Sequence, residues 1–301
     1  MKLAQIDTGK YQTKAEGDKT TIFLTQVKEL DKYDSNYDYV MEFEGKYFAI
    51  GEGEPCIEPT KMVLPHKLCA LFALTQIFDD IAPREHIYMA IGSPLMLMKN
   101  PDYKEEFKQF LMGDDDGLIS FKVNKKPYTI CIKNILILPE SSGVVYNYPE
   151  FFEDRVVGVI DWGGLQINCM MYDNGKPIKS KGFTRQLGAY DLEATIINNL
   201  SAVGLNYDET QLKYVIKNPS VEERLIIENA VSQQIDLIIN QCRHNRWNVD
   251  TLPLLFTGGS SARFENYIKC LGNEVSETAL LDNVKGFGKV AMIWLKQLLN
   301  R

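Results

Sequence analysis

The sequence lacks a run of apolar residues long enough to span a membrane. Its most apolar helix-like stretch, Leu68–Phe78, is about half as long as a spanning helix, which needs about 20 residues. The first residues, Met1 to Asp7, include an acid and no long apolar segment, so they do not resemble a signal peptide. We therefore expect a soluble, cytoplasmic protein with no membrane among its partners.

Cysteine and histidine are also scarce. The six cysteines (positions 56, 69, 131, 169, 242 and 270) form no CxxC pair, and the three histidines have no metal-ligand spacing. Most of the cysteines lie among apolar residues, which is typical of buried free thiols in a reducing compartment and argues against disulfides or zinc. The acidic turn at residues 113–117 lacks the spacing of a calcium loop, so we interpret it as a solvated turn.

The sequence also has no excess of positive charge, since its formal net charge is -7. Such a chain is not expected to bind nucleic acid directly through its own surface, although it could reach DNA through an adaptor. The sequence also contains no GxxxxGK[ST] loop and no GxGxxG turn between a strand and a helix. These absences argue against P-loop ATPases and dinucleotide enzymes.

What is present suits two α/β domains in 301 residues of ordinary globular composition. A buried strand, an aspartate, a glycine turn and a second strand occur near Asp7 and again near Asp161. Repetition of an α/β unit predicts two similar domains with a cleft between them. We expect domain I to span residues 1–153 with the C-terminal helix 286–301, and domain II to span residues 154–285.

Some of the predicted elements matter for the site. Apolar spacing predicts helices over Pro65–Ile81, Pro101–Met112, Val221–Cys242 and Lys289–Leu299. A strand is expected to continue over Lys176–Phe183 after the turn at Asp173-Asn174-Gly175.

Three glycine-containing loops follow buried strands. Glycine in a tight turn lets backbone N–H groups approach phosphate oxygens. An aspartate at a strand end can hold a metal-bound water, and a lysine can neutralise phosphate. Each loop taken singly could equally be a structural turn. The loops contain Asp7, Thr8, Gly9 and Lys10; then Asp161, Trp162, Gly163, Gly164, Leu165 and Gln166; and last Thr257, Gly258, Gly259, Ser260 and Ser261.

The order of these motifs resembles that of a known superfamily. Asp-x-Gly, Pro-Glu-Ser, Asp-x-Gly-Gly and Thr-Gly-Gly-Ser follow one another as in the actin, Hsp70 and sugar-kinase proteins. Within that superfamily the chain most resembles bacterial actin-like plasmid-segregation proteins of the ParM type. Gly92-Ser93-Pro94 is similar to their Gly-Leu-Pro segment, and Leu138–Gly143 is similar to their first connecting element. The resemblance implies an actin-like α/β fold with two similar domains around a nucleotide cleft.

The resemblance also implies residue roles. Glu140 would polarise the attacking water, and Asp161 would help to position Mg²⁺ and water. Asp7 and Asp161 would hold the metal through water. Taken without the resemblance, Glu140 could cap a helix and Asp161 could close a turn. The nucleotide-binding set would be Asp7, Thr8, Gly9, Lys10, Gly163, Gly164, Leu165, Gln166, Gly258, Gly259 and Ser260, and Asn283, Gly286 and Gly288 would form a second hinge element before the last helix.

The function implied is that of a nucleoside triphosphatase that binds ATP, with GTP as an alternative, together with Mg²⁺. Such a protein would polymerise head to tail and segregate plasmid DNA through a DNA-bound adaptor protein. Two other functions stay open. A small-molecule kinase needs a carboxylate base beside an acceptor pocket, and we find no acceptor signature. An actin-like cytoskeletal scaffold commonly has a membrane-binding amphipathic segment, and none is apparent.

Overall fold

The computed structural model describes residues 1–113 and 116–300, so Asp114 and Asp115 of the predicted acidic turn lie outside the described residues. The chain divides into two compact units. The first comprises Met1–Asn147 and Asn283–Arg301, and the second comprises Tyr148–Asp282. In each unit helices pack against a mixed β-sheet.

The first unit begins with a strand and also contains the last helix of the chain. Its strands are β1 (Lys2–Thr8), β2 (Gln12–Glu16), β3 (Thr20–Leu24), β4 (Gln26–Leu30), β5 (Val40–Phe43), β6 (Lys46–Pro55), β7 (Glu85–Ser93), β8 (Leu118–Val123) and β9 (Lys126–Pro139). Its helices are α1 (Leu64–Ile77), α2 (Pro101–Met112) and α3 (Gly143–Asn147), with a 3₁₀ turn at Leu97–Lys99. The last helix of the chain (Asp282–Leu299) also belongs to this unit, apart from its first residue.

Within the described residues, the first unit holds a nine-stranded sheet in the order β3-β2-β1-β7-β9-β8-β5-β6-β4. Strands β1, β7 and β9 at its centre are parallel, so their carboxyl ends meet at one edge. The end strands of this order, β3 and β4, are separated in sequence by Thr25 alone. The sheet must therefore curve strongly, and Thr25 is buried at the bend with its hydroxyl 2.8 Å from that of Thr13.

Local sequence explains the helices of this unit. Helix α1 is apolar on almost every side, and nine of its residues are buried, as expected for a helix enclosed by its own sheet. Helix α2 starts where predicted, because the Asn100 side chain accepts from the Asp102 N–H at 3.1 Å and Pro101 occupies the first turn.

The second unit is built around a smaller sheet. Its strands are β10 (Val156–Trp162), β11 (Ile167–Asp173), β12 (Lys176–Pro177), β13 (Phe183–Arg185), β14 (Leu254–Thr257) and β15 (Glu274–Val275). Its helices are α4 (Pro149–Phe152), α5 (Ala189–Ala202), α6 (Glu209–Lys217), α7 (Val221–His244), α8 (Gly259–Arg263) and α9 (Glu265–Cys270), with 3₁₀ turns at Lys179–Lys181 and Ala279–Leu281. The last helix of the chain is α10.

Helices α5 to α7 and α9 share an apolar core with this sheet, including Ile196, Ile235 and Phe264. Both α6 and α7 begin with capping boxes, formed by Asp208 with Gln211 and by Ser220 with Glu223. These caps satisfy backbone donors that the first turn of a helix leaves open.

The strand–turn–strand unit predicted to occur twice is present in both sheets. Asp7 pairs with Lys14 across β1 and β2, and Asp161 pairs with Asn168 across β10 and β11. In each case the first strand also pairs in parallel with a later one, β7 or β14. In each unit the same local topology therefore places an aspartate near the end of a strand.

Several boundaries differ from the prediction. Helix α10 begins at Asp282 instead of Lys289, so Asn283, Gly286 and Gly288, which were expected before the last helix, are part of it. Its first turns are helical despite two glycines because Val284 and Phe287 are fully buried. The expected strand Lys176–Phe183 is broken by the 3₁₀ turn, and α1 ends at Ile77 because Phe78 is extended.

All six cysteines are free thiols: four are buried, Cys56 is half-buried and Cys270 is exposed. Among the described residues, we found no helix with the length and apolar character needed to cross a membrane.

Candidate functional site

In the first unit, the predicted residues Asp7 and Glu140 lie at one edge of the sheet. Asp7 is near the carboxyl end of β1, and Glu140 directly follows β9. Strand β7 runs between these two strands in parallel, and the Glu140 N–H donates to the Ser93 carbonyl at 2.9 Å. Both carboxylates are buried, so their charges need partners inside the protein.

The main partner is Lys61, which the sequence analysis did not single out. Its ammonium group forms a short ion pair with the Glu140 carboxylate and lies 3.7 Å from Asp7 Oδ1. It also donates to the Gly92 carbonyl at 3.2 Å. Burial alone would lower the pKa of Lys61, but attraction to Glu140 and Asp7 outweighs it and raises that pKa, so the lysine is charged.

The Asp7 side chain is fixed from two further sides. Asn283, in the first turn of α10, donates to Asp7 Oδ2 at 3.1 Å. Gly92 leaves room for the carboxylate, because a β-carbon at that position would lie 3.2 Å from Asp7 Oδ1. Asn283 also accepts from the Gly143 N–H at 3.4 Å, which connects α10 to the segment after Glu140.

Buried polar atoms without partners gather at the same strand ends. Among the described residues, the hydroxyls of Thr8, Ser93 and Ser141 have no hydrogen-bond partner, and neither does Asp7 Oδ1. Buried polar groups are nearly always satisfied in folded proteins. Ser141 also has a left-handed backbone, with φ of 65°. This edge is therefore suited to a polar ligand and its water.

The rest of the first loop forms a tight turn. A β-carbon at Gly9 would lie 2.7 Å from the Gln12 carbonyl oxygen, so the turn requires glycine. Lys10 Nζ donates to the Ile57 carbonyl at 3.2 Å. Close by, His66 in the first turn of α1 is buried, and burial together with the charges of Lys61 and Lys10 lowers its pKa to about 3.

In the second unit, Asp161 and Gly258 are brought together. Asp161 is near the end of β10 and is buried. Gly258 follows β14 with φ of 92°, and a β-carbon there would lie 2.3 Å from Asp161 Oδ1. Glycine thus stands directly against the aspartate in both units, as Gly92 against Asp7 and as Gly258 against Asp161.

The second loop is held by backbone hydrogen bonds. The Gly163 N–H donates to the Gln166 carbonyl at 3.0 Å, and the Gly164 carbonyl accepts from the Tyr190 N–H at 2.8 Å. Leu165 lies inside this turn, and the Gln166 amide donates to the Asn168 side chain at 3.5 Å. Trp162 is fully buried and stacks on Phe264, so its role is in the core.

The third loop differs in one detail from the prediction. Gly258 itself precedes α8, whose first residues are Gly259 and Ser260, and no side chain caps it. The Ser261 hydroxyl donates instead to the Thr257 carbonyl at 2.6 Å. The turn into the helix is made by Gly258, whose φ is positive, and not by a side-chain cap.

The residues fit a magnesium ion that is held through water. Within the described ranges, no group of three or more His, Cys, Asp or Glu side chains could ligate a metal directly. Asp7 Oδ1 is a buried carboxylate oxygen with no hydrogen bond in the described structure, which suits contact with a metal-bound water.

The chain is similar to known actin-like proteins. Residues 6–143 match the family of actin-like proteins, N-terminal domain. The Alp12 filament structure is similar at a TM-score of 0.70 and 25% identity, covering 98% of this chain and 99% of that one. An archaeal actin homologue in complex with ADP gives 0.77 and 16% identity, covering 97% and 100%. A 15-stranded ParM filament from Clostridium botulinum gives 0.70 and 15% identity, covering 95% and 97%.

The comparison with curated proteins gave no match. The fold of the chain is that of the actin-like proteins, and the predicted α/β fold class is confirmed. Residues 6–143 match the model of the actin-like N-terminal domain family, and the expected resemblance to actin-like proteins of the ParM type is confirmed.

Proposed function

We propose that the chain is a nucleoside triphosphatase that binds ATP with Mg²⁺ and assembles into filaments. The observation that carries this proposal is the buried cluster of Asp7, Lys61 and Glu140 at the carboxyl ends of β1, β7 and β9. Phosphoryl transfer needs acidic groups for metal-bound and attacking water, beside backbone that approaches phosphate closely. The cluster and the Gly9 turn supply both kinds of group within one unit.

Each acid then has a specific task. Glu140 is anchored by Lys61 and accepts the proton of the attacking water. Asp7 and Asp161 would each hold Mg²⁺ through a water molecule, and the ion would supply charge stabilisation to the phosphates. Gly9, Lys10, Gly163, Gly164 and the third loop contact the nucleotide. GTP is the alternative nucleotide.

Assembly and its use rest on the neighbours. The Alp12 and ParM neighbours are filaments, and the archaeal homologue binds ADP. We propose that this chain likewise assembles from copies of itself, acts in the cytoplasm, and serves plasmid DNA segregation through a DNA-bound adaptor. The net charge of -7 supports an adaptor, since an acidic surface repels DNA.

The substitution Glu140→Gln tests the hydrolytic step. It keeps an oxygen that can accept from Lys61 but removes the base. We expect ATP binding to persist and hydrolysis to fall by about a hundredfold or more, the usual scale for loss of a general base. Phosphate release and nucleotide titration measure the two effects separately.

A matched control is Glu150→Gln, which changes an exposed glutamate and should leave the rate unchanged. Hydrolysis by Glu140→Gln at the wild-type rate would remove Glu140 from the mechanism. Failure of the wild-type chain to bind any nucleotide would reject the proposed function as a whole.

A further inference from the structure

The Lys61 side chain takes a place in the first unit that a metal ion would otherwise suit. It is 3% exposed, and the carboxylates of Asp7 and Glu140 beside it are each 8% exposed. Its ammonium group contacts three oxygens from three different strand ends: Asp7 Oδ1, the Gly92 carbonyl and the Glu140 carboxylate. Carboxylate and carbonyl oxygens are also the ligands that hard divalent cations prefer.

Removal of the Lys61 charge would leave two buried carboxylates with no cation between them. Such a pair is costly unless it is compensated, and a divalent ion is one means of compensation. While Lys61 is present, an ion entering the pair must displace or oppose a fixed positive charge, and Asn283 already donates to the second oxygen of Asp7. Direct binding of a metal ion to the carboxylates of Asp7 and Glu140 is therefore disfavoured in the absence of nucleotide.

We propose that Lys61 is a built-in cation that prevents Asp7 and Glu140 from binding a divalent metal ion directly in the absence of nucleotide. Metal then enters together with nucleotide, whose phosphates bring the negative charge that the Asp7–Glu140 pair no longer offers. Lys61 is thus a residue that makes metal binding conditional. The inference rests on the proposed function in assigning Asp7 to the metal-bound water and in the binding of nucleotide.

The test is a Mn²⁺ titration of nucleotide-free protein, followed by electron paramagnetic resonance. Wild-type protein is expected to show no Mn²⁺ binding that depends on Asp7, as judged against Asp7→Asn. Lys61→Met removes the charge at similar size, and we expect Mn²⁺ affinity to rise by about a hundredfold or more, because an adjacent unit charge interacts strongly at low effective dielectric. Lys61→Arg retains the charge and should not bind Mn²⁺.

The double variant Lys61→Met with Glu140→Gln should lose the new site, which would locate it. A folded Lys61→Met that binds no Mn²⁺, or Asp7-dependent binding by the nucleotide-free wild type, would overturn the proposal. If circular dichroism shows that Lys61→Met does not fold, Lys61→Gln replaces it and the wild-type comparison still decides. Since no ATP is present, this outcome is independent of whether the chain hydrolyses ATP.

Discussion

At the residue scale, two buried basic side chains of the first unit, Lys61 and His66, differ in their charge. Lys61 is charged because it has two carboxylates, whereas His66, which is buried nearby, is held neutral. Among the described residues, neither ring nitrogen of His66 has a hydrogen-bond partner. Burial disfavours the charged ring, and Lys61 and Lys10 add positive charge nearby, so the pKa of His66 is lowered to about 3.

This lowered pKa predicts acid sensitivity. The ordinary histidine pKa is 6.5, so between 6.5 and about 3 the unfolded chain binds a proton that the folded chain does not. The stabilisation from neutral His66 is fully present above pH 6.5 and is lost as pH falls toward 3. One proton changes the free energy of unfolding by about 1.4 kcal/mol per pH unit. Between pH 7 and pH 5, the free energy of unfolding measured with urea should therefore fall by about 2 kcal/mol less in His66→Leu than in wild type.

The control for this measurement is His244→Leu, because His244 is exposed near the end of α7. It should retain the wild-type pH dependence. Equal pH dependence in wild type and His66→Leu would show that His66 does not lie neutral in the folded chain.

Some residues of the site could be predicted from the sequence, and others could not for a physical reason. Asp7, Glu140 and Asp161 stand in recognisable loops after buried strands, so their positions could be predicted, although their roles stay predictions. Lys61 follows no motif, in a segment between β6 and α1. Its significance comes from contacts with residues far away in sequence, which spacing alone cannot indicate.

At the element scale, α10 approaches the segment after Glu140 closely. A β-carbon at Gly286 would lie 2.1 Å from the Gly143 carbonyl oxygen, which is backbone and cannot move aside easily. At Gly288, two residues along the same helix, the nearest atom would be Gln5 Cγ at 3.4 Å. The two glycines of α10 therefore have different reasons to be glycine.

This difference predicts opposite effects of the same substitution. Gly286→Ala should destabilise the chain by about 1–3 kcal/mol, the usual range for forced overpacking. Gly288→Ala should be neutral or stabilise it by up to about 1 kcal/mol, because alanine is the better helix former. Urea unfolding of both variants provides the measurement, and the same sign and size for both would contradict the close packing at Gly286.

Helix α10 also shows where element prediction fails. The predicted helix began only at Lys289, after Gly286 and Gly288, and glycine disfavours helix interiors. Burial of Val284 and Phe287 together with the Asn283 contact to Asp7 outweighs that local preference. Helix α2, by contrast, was predicted correctly at both ends because its cap, its proline and its terminal Gly113 are all local signals.

At the scale of the whole molecule, the repeated strand–aspartate–turn–strand unit was the most informative feature of the sequence. It correctly indicated an α/β chain in which similar local topology occurs twice, in β1–β2 and in β10–β11. Strand β4 was not predicted, because a strand with mixed polar and apolar residues lacks a clear apolar period. The curvature of the first sheet at Thr25 likewise depends on pairing between distant strands.

Assembly is the property that belongs to the whole molecule, and we expect it to depend on nucleotide. Identical subunits that contact one another head to tail form a closed ring only if the rotation from one subunit to the next closes a circle. Otherwise the contact repeats and the assembly extends into a filament. Nucleotide can control such a contact only if the ATP and ADP states differ in affinity for the next subunit. After Mg²⁺ and ATP are added at micromolar protein, light scattering of wild type should rise and then fall as ATP is consumed.

The variant Glu140→Gln separates assembly from hydrolysis. Because it is expected to bind ATP and hydrolyse it slowly, its scattering should rise like that of wild type and then persist, with filaments visible by electron microscopy. The filaments should not retain DNA without a basic adaptor, since each subunit carries a formal net charge of -7. A chain that stays monomeric at all concentrations while phosphorylating a small metabolite would instead be a kinase of the same superfamily, and the filament proposal would be wrong.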